Sequence, residues 1–362
     1  MISGERIRQA REIRGLTQAD LGELVGLHQS NIARLEQGIY QPLDPIAQGI
    51  AMATGFPIAF FREDPTVDFP AGSLMYRKRA SLKSHQKSML RQFGSLLFEL
   101  GIHLGKKVGT ISLTLPESVG DPVKDAERTR ATLGFSPGEP IANLIRAIER
   151  VGVFVIAVHL KVDEHDAFSL WAKGEKSIPV LVVSAGKSGD RLRFSVAHEL
   201  GHIMLHRGII AGTKIHEREA DAFASELLLP SRSMKLEMVP PINLTKLAEL
   251  KARWGVSIQA LLVRALHLEI VTMRQYKYLF QQLSARGWRI KEPVEIPVER
   301  PRLIRQMIEK AYGIPVETSM VAEDLGMPEK LVQQILEAHA GTAPILSQAD
   351  TKRLIAFRSN QN

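Results

Sequence analysis

The sequence predicts an α+β chain that is mostly helical. It comprises an all-α N-terminal domain, a central domain in which a small sheet leans on helices, and a helical C-terminal region. Three observations predict this class. Apolar residues recur at helical spacing along most of the 362 residues. Short apolar runs stand out at 153–158 and 179–184, with Ser169-Leu-Trp171 between them, and strands are expected at all three. The chain is longer than one core usually serves, and Pro65, Pro70 and Gly72 mark a linker over 64–72. The expected domains are therefore 1–64, 73–265 and 266–362.

The first domain reads as helices. An opening helix over 5–14 precedes Thr17, an N-cap for a helix over 18–25 that Gly26 breaks. A second helix over 29–37 ends at Gly38. Leu21, Leu24, Leu27, Ile32 and Leu35 fall where a compact helical core needs them. The pieces Thr17-Gln18-x-x-Leu21-x-x-x-Val25-Gly26 and Ile32-x-x-Leu35-Glu36-x-Gly38, with Pro42 and the 57–61 segment, carry a resemblance: residues 4–63 resemble the XRE/Cro type of helix-turn-helix domain. The resemblance implies that the second helix of the pair enters the major groove of double-stranded DNA. His28, Gln29, Ser30, Asn31 and Arg34 then become candidate contacts, and Gln18 a phosphate or base contact. Asn and Gln bind adenine bidentately, and Arg does the same for guanine. Acidic residues balance the arginines within the domain. Basic density lies downstream at Arg77, Lys78, Arg79, Lys83, Lys87 and Arg91, as a phosphate-binding supplement or a solvated helix face.

The central region opens with an amphipathic helix over 83–105, apolar at Met89, Leu90, Phe93, Leu96, Leu97 and Leu100. Helices over 125–133 and within 140–152 lead into the strands. Asp190 is an N-cap candidate for the next helix, whose buried side is Leu192, Val196, Leu200 and Ile203. The 216–229 segment is apolar at Ala220, Phe223, Ala224, Leu227 and Leu228. Helices over 244–254, 257–268 and 272–286 follow, then Pro293, Pro297 and Pro301, and shorter helices over 302–312 and 328–339. No internal repeat is evident, residues 294–362 carry no motif, and the tail from Gly341 is expected to be poorly ordered.

The chemistry concentrates in His198-Glu199-Leu-Gly-His202 and, fifteen residues on, Glu217-Arg-Glu-Ala-Asp221. Residues four apart share a helix face, so His198 and His202 can direct two imidazoles at one metal ion. Glu199 projects beside the site, where a carboxylate can accept a proton from water. Glu217 on a second helix completes a three-ligand set suited to Zn2+, and Asp221, one turn on, can accept a ring N–H from a ligating histidine. Glu219 is the alternative third ligand, without such a partner. His206 and His216 read as surface or supporting residues.

The stretches 194–206 and 217–230, from Phe194 through the HExxH motif and from Glu217 to Pro230, resemble the ImmA/IrrE family of metallopeptidases in its form fused to an XRE-type domain. Val256-Ser257 through Glu292-Pro293 is similar to the region that follows in the family. The family often has Asn where this chain has Asp221, and either residue serves the supporting role. The resemblance implies a gluzincin-like zinc metallo-endopeptidase that cleaves a DNA-bound helix-turn-helix repressor, in stress responses or mobile elements. An edge strand at 168–172 would pair with extended substrate. The competing class is a DNA-binding transcription regulator, or the antitoxin of a toxin–antitoxin pair, with no essential peptidase activity. A net charge of +8 permits anionic partners, and the lack of cysteine suits a reducing compartment. No apolar run resembles a signal peptide or membrane span, so a cytoplasmic protein without a membrane partner is expected. Helix-turn-helix domains often act as dimers, which allows a homodimer and leaves the oligomeric state open.

Overall fold

A computed structural model describes residues 1–66, 84–109, 112–158, 167–171, 179–184, 188–207 and 213–341. The linker beyond Thr66, the basic run from Arg77 to Lys83 and the tail beyond Gly341 lie outside the described residues.

The N-terminal unit comprises α1 (Gly4–Ile13), α2 (Gln18–Val25), α3 (Gln29–Glu36), α4 (Asp44–Thr54) and a 3-10 turn (Ile58–Arg62). Thr17 caps α2 in a reciprocal box with Asp20, and His28 caps α3. Gly26 ends α2 at φ 69°, in the left-handed region where a side chain is strained. Leu21, Ile32 and Leu35 are buried as expected, but Leu24 is 59% exposed. The inward side of α2 runs through Leu21 and Gly22, whose close approach to the Leu27 carbonyl leaves Leu24 on the outer face.

Next come α5 (Ser84–Val108), α6 (Pro122–Thr132), α7 (Leu144–Arg150), β1 (Phe154–Val158), β2 (Ala167–Trp171), β3 (Pro179–Ser184), α8 (Gly189–Leu205) and α9 (Lys214–Leu228). The strands form one sheet in the order β1-β3-β2, with β1 parallel and β2 antiparallel to β3. The sheet has two different neighbours. Val155, Ala157, Leu181 and Val183 join a core with α6, α7, α8 and α9, while Ile156, Val180 and Val182 join a second core shared with α1, α3 and α5. Such alternation is the period-2 pattern of strands buried on both faces. A side chain at Gly101 of α5 would meet the Phe154 ring at 2.2 Å, so this glycine lets helix and strand close up.

Ser188 is the N-cap residue of α8, not Asp190. Asp190 sits inside the first turn, buried and ion-paired with Lys251, because that lysine reaches it from a neighbouring helix.

The remaining helices are α10 (Ser231–Glu237), α11 (Leu244–Trp254), α12 (Ile258–His267), α13 (Met273–Ala285), α14 (Leu303–Tyr312), α15 (Thr318–Leu325) and α16 (Glu329–Ala338). Leu279 and Leu283 of α13 belong to the first core, whereas α14, α15 and α16 contribute Ile304, Val321 and Ile335 to the second. His339, fully buried just past α16, accepts from the Ala157 N–H at 3.2 Å and so covers the outer edge of β1.

Contrary to the expectation of no repeat, α15 and α16 reproduce α2 and α3 at an interval of about 300 residues. Leu21 and Val321, Ile32 and Val332, and Leu35 and Ile335 are buried at matching positions. Gly26 and Gly326 both adopt positive φ, at 69° and 58°. Leu27 N–H bonds the Gly22 carbonyl at 2.8 Å, and Met327 N–H bonds that of Ala322 at 2.9 Å. Even the side-chain bridge between helices recurs, as Gln29 to Gln18 and Thr318 to Glu329. The two segments share turn geometry and core spacing but almost no residue identities.

Candidate functional site

Small residues bring α8 and α9 together. A side chain at Gly201 would lie 3.1 Å from both the Ala220 Cα and the Phe223 ring, so the helices meet where α8 has none. Contact this close lets short side chains from both helices converge.

His198 and His202, four apart on α8, place their Nε2 atoms 3.1 Å from each other. Glu217 of α9 reaches both, at 3.5 Å from His198 Nε2 and 3.4 Å from His202 Nε2. A tetrahedral ion with bonds of about 2.0–2.1 Å separates its ligand atoms by about 3.3–3.4 Å. The two imidazole nitrogens lie slightly inside that edge, each faces a different oxygen of Glu217 close to it (Oε2 for His198, Oε1 for His202), and the donor set of two imidazoles and a carboxylate suits zinc. Asp221 Oδ1 lies 2.8 Å from His198 Nδ1, which leaves Nε2 of that ring as the ligand atom.

Glu199 is buried beside this trio, and its Oε2 accepts the hydroxyl of Ser169 at 2.7 Å. Ser169 comes from β2, the edge strand. Sequence reasoning placed it in a strand but gave it no role, because nothing local to 169 signals a partner thirty residues away.

Glu219 turns away from the trio. Its Oε2 lies 2.8 Å from His206 Nε2, while His206 Nδ1 lies 2.9 Å from His202 Nδ1. His206 is 3% exposed, and the ring of His216 lies against it with centroids 4.5 Å apart. His206, His216 and Glu219 thus form a second group with metal-ligand chemistry.

The charges are strongly coupled. Burial opposes the charged form of His198, but hydrogen bonds to Asp221 and Glu217 outweigh it and push its pKa up to about 9. Burial raises Glu199 against the pull of His198 and His202. Glu217 is lowered, since its bonds to the two histidines overcome its desolvation. Burial holds His206 below the ordinary histidine value. A cluster of carboxylates around imidazoles in this state offers a cation a ready exchange for protons.

The helix-turn-helix candidates lie together on the other unit. Gln29, Ser30, His28 and Arg34 are exposed, while Gln18 and Asn31 are half-buried. Gln29 donates to Gln18 at 2.9 Å, and Gln18 donates to Glu36 at 2.8 Å. Glu36 is itself held by Arg11 in a buried pair at 2.5 Å. Arg34 lies over the Tyr40 ring at 5.4 Å, and Tyr40 donates to the Asn31 carbonyl. A chain of side-chain bonds therefore orients the N-terminal half of α3.

Comparison with known proteins agrees with both units. Residues 7–61 match the helix-turn-helix family, and residues 148–266 match the IrrE N-terminal-like domain of the peptidase M78 family. No curated protein matches the chain. Among solved structures, Bacillus thuringiensis PlcR in complex with the peptide PapR7 and DNA aligns over 93% of this chain and 96% of that one. That alignment has 15% identity and a TM-score of 0.16, at which the two folds cannot be equated. Among the described residues, no helix is long and apolar enough to cross a membrane. The chain is a fusion of an XRE-type helix-turn-helix domain with an IrrE-type domain of the peptidase M78 family.

Proposed function

We propose that this protein is a zinc-dependent endopeptidase that binds duplex DNA and controls transcription by cleaving a helix-turn-helix repressor. The observation that carries the reading is the trio of His198, His202 and Glu217 at tetrahedral-edge spacing, with the buried carboxylate of Glu199 beside it. Zinc, when bound by these three, lowers the pKa of a water and polarises a carbonyl. Glu199 accepts the proton of the attacking water and delivers it to the leaving amine. Asp221 keeps His198 oriented through Nδ1. The outer edge of β2, which pairs with no other strand among the described residues, supports binding of an extended peptide by strand addition, next to Glu199. Gln18, His28, Gln29, Ser30, Asn31 and Arg34 would contact the operator. The lack of cysteine supports a cytoplasmic setting, and the dimeric habit of helix-turn-helix domains supports a homodimer.

A second reading, a regulator or antitoxin without essential peptidase activity, draws on the helix-turn-helix match alone. It requires no buried acid beside the trio. The deciding experiment uses the full chain with Glu199→Gln and a purified repressor encoded by a neighbouring gene. We expect one zinc per chain to be retained and cleavage to be lost. Unchanged cleavage by this variant rejects the role of Glu199, and absence of cleavage by the wild-type chain favours the second reading.

A further inference from the structure

The proposed mechanism uses neither His206 nor Glu219, although His206 is buried and both of its ring nitrogens are engaged. Two imidazole nitrogens 2.9 Å apart, as in the His202–His206 pair, need one donor and one acceptor. The orientation of the trio decides which is which. His202 faces His198 and Glu217 with Nε2, so a neutral His202 that offers Nε2 to a metal carries its proton on Nδ1. That proton is donated to His206 Nδ1. The proton of His206 then sits on Nε2, 2.8 Å from the Glu219 carboxylate that accepts it. Every nitrogen in this path has one role.

The same accounting separates this cluster from a second metal site. His216 Nδ1 accepts the Thr213 N–H at 3.2 Å in the cap of α9, which leaves its proton on Nε2. Neither His206 nor His216 then has a lone pair to give a cation. Glu219 alone does not make a metal site.

We infer that His206 and Glu219 are positioning residues, a proton-ordered relay that fixes the tautomer and ring orientation of His202, and that they do not hold a second metal ion. The inference rests on the reading of His198, His202 and Glu217 as zinc ligands. It gives each ligand histidine its own carboxylate on α9: Asp221 directly for His198, and Glu219 through His206 for His202.

The test measures zinc stoichiometry, zinc affinity by chelator competition, and imidazole tautomers by 15N resonance on the full-length protein. His206→Phe keeps a planar ring but removes both nitrogens. It should weaken zinc binding about 10- to 100-fold, the usual loss when such a partner is removed. His206→Gln, with an oxygen to accept from His202 and an amide to reach Glu219, should recover most of the loss. Recovery of this kind would not follow from packing alone. Glu219→Leu, at a part-exposed position where folding is not at stake, should weaken binding less, and the zinc-loaded wild type should show His202 protonated at Nδ1. His216→Phe should change nothing. Unchanged affinity in both His206→Phe and Glu219→Leu overturns the relay, as does His202 deprotonated at Nδ1. Uptake of a second zinc that His216→Phe abolishes overturns it in favour of a metal site. A wild-type chain that takes up no zinc overturns the ligand reading itself, and the relay with it.

Discussion

Ser169 on β2 donates its hydroxyl to Glu199 Oε2 on α8 across 2.7 Å, joining the edge strand to the carboxylate proposed as the base. A buried carboxylate that loses a donor is left partly unsatisfied and less precisely aimed. Ser169→Ala should therefore lower kcat about tenfold while zinc content stays at one per chain. Steady-state kinetics alongside metal analysis reads both; a variant with full activity would remove Ser169 from the site.

The third ligand can be assigned by metal content. Glu217→Ala should abolish stable zinc binding, since the carboxylate lies between both histidine nitrogens. Glu219→Ala, at a carboxylate that pairs with His206 and not with the trio, should retain zinc at reduced affinity. The reverse order would move the ligand to Glu219.

For DNA, the expectation concerns α3. Asn31→Ala combined with Arg34→Ala removes two candidate base contacts, each worth about 1–3 kcal/mol of discrimination when bidentate. Operator binding in an electrophoretic shift should weaken at least tenfold, and a shift insensitive to both changes would count against reading by α3.

The packing of α8 on α9 predicts a steric outcome. Gly201→Val puts branches where a single carbon would already lie 3.1 Å from Ala220 and Phe223. Overpacking of this kind costs about 1–3 kcal/mol. The helices should separate, and both thermal stability and zinc affinity should fall together.

A pH dependence follows from Glu149. Its carboxylate accepts the N–H groups of Arg302 and Leu303 at the start of α14, at 3.1 and 3.0 Å. Burial nevertheless dominates those bonds and pushes its pKa from 4.5 to about 7. The folded form thus holds a proton that the unfolded chain releases between those values. Stability from this group is present below pH 4.5 and declines as pH rises to about 7, by about 3 kcal/mol at most. Glu149→Gln stays neutral, so its stability relative to wild type should increase from pH 5 to pH 8 in urea titrations. A constant difference across that range would refute the assignment.

Much of this was legible in the residues. The i,i+4 histidines, the cap at Thr17 and the glycine stop at Gly26 are local signals, and local signals survive without the fold. The choice of Glu217 over Glu219 came from the spacing to Asp221, and the structure places Asp221 on His198. What escaped were long-range partners. Ser169, the His206–Glu219 contact and the Lys251 that claims Asp190 depend on how elements pack. Helix α15 escaped for another reason: it is as short as α2 but has no side-chain cap like Thr17 to mark its start.

The sheet has a consequence for anyone who would cut this protein into pieces. Its outer side is lined by Ile156, Val180 and Val182, which rest on apolar groups from α5 near one end of the chain and α14 and α16 near the other. A fragment trimmed to the stretch that matches the peptidase family would hand those three side chains to water, at about 1.5–3 kcal/mol each. It would also leave the outermost strand without His339 as its cover. Such a fragment is expected to aggregate or unfold, so an inactive excised domain would say nothing about the chemistry of the whole.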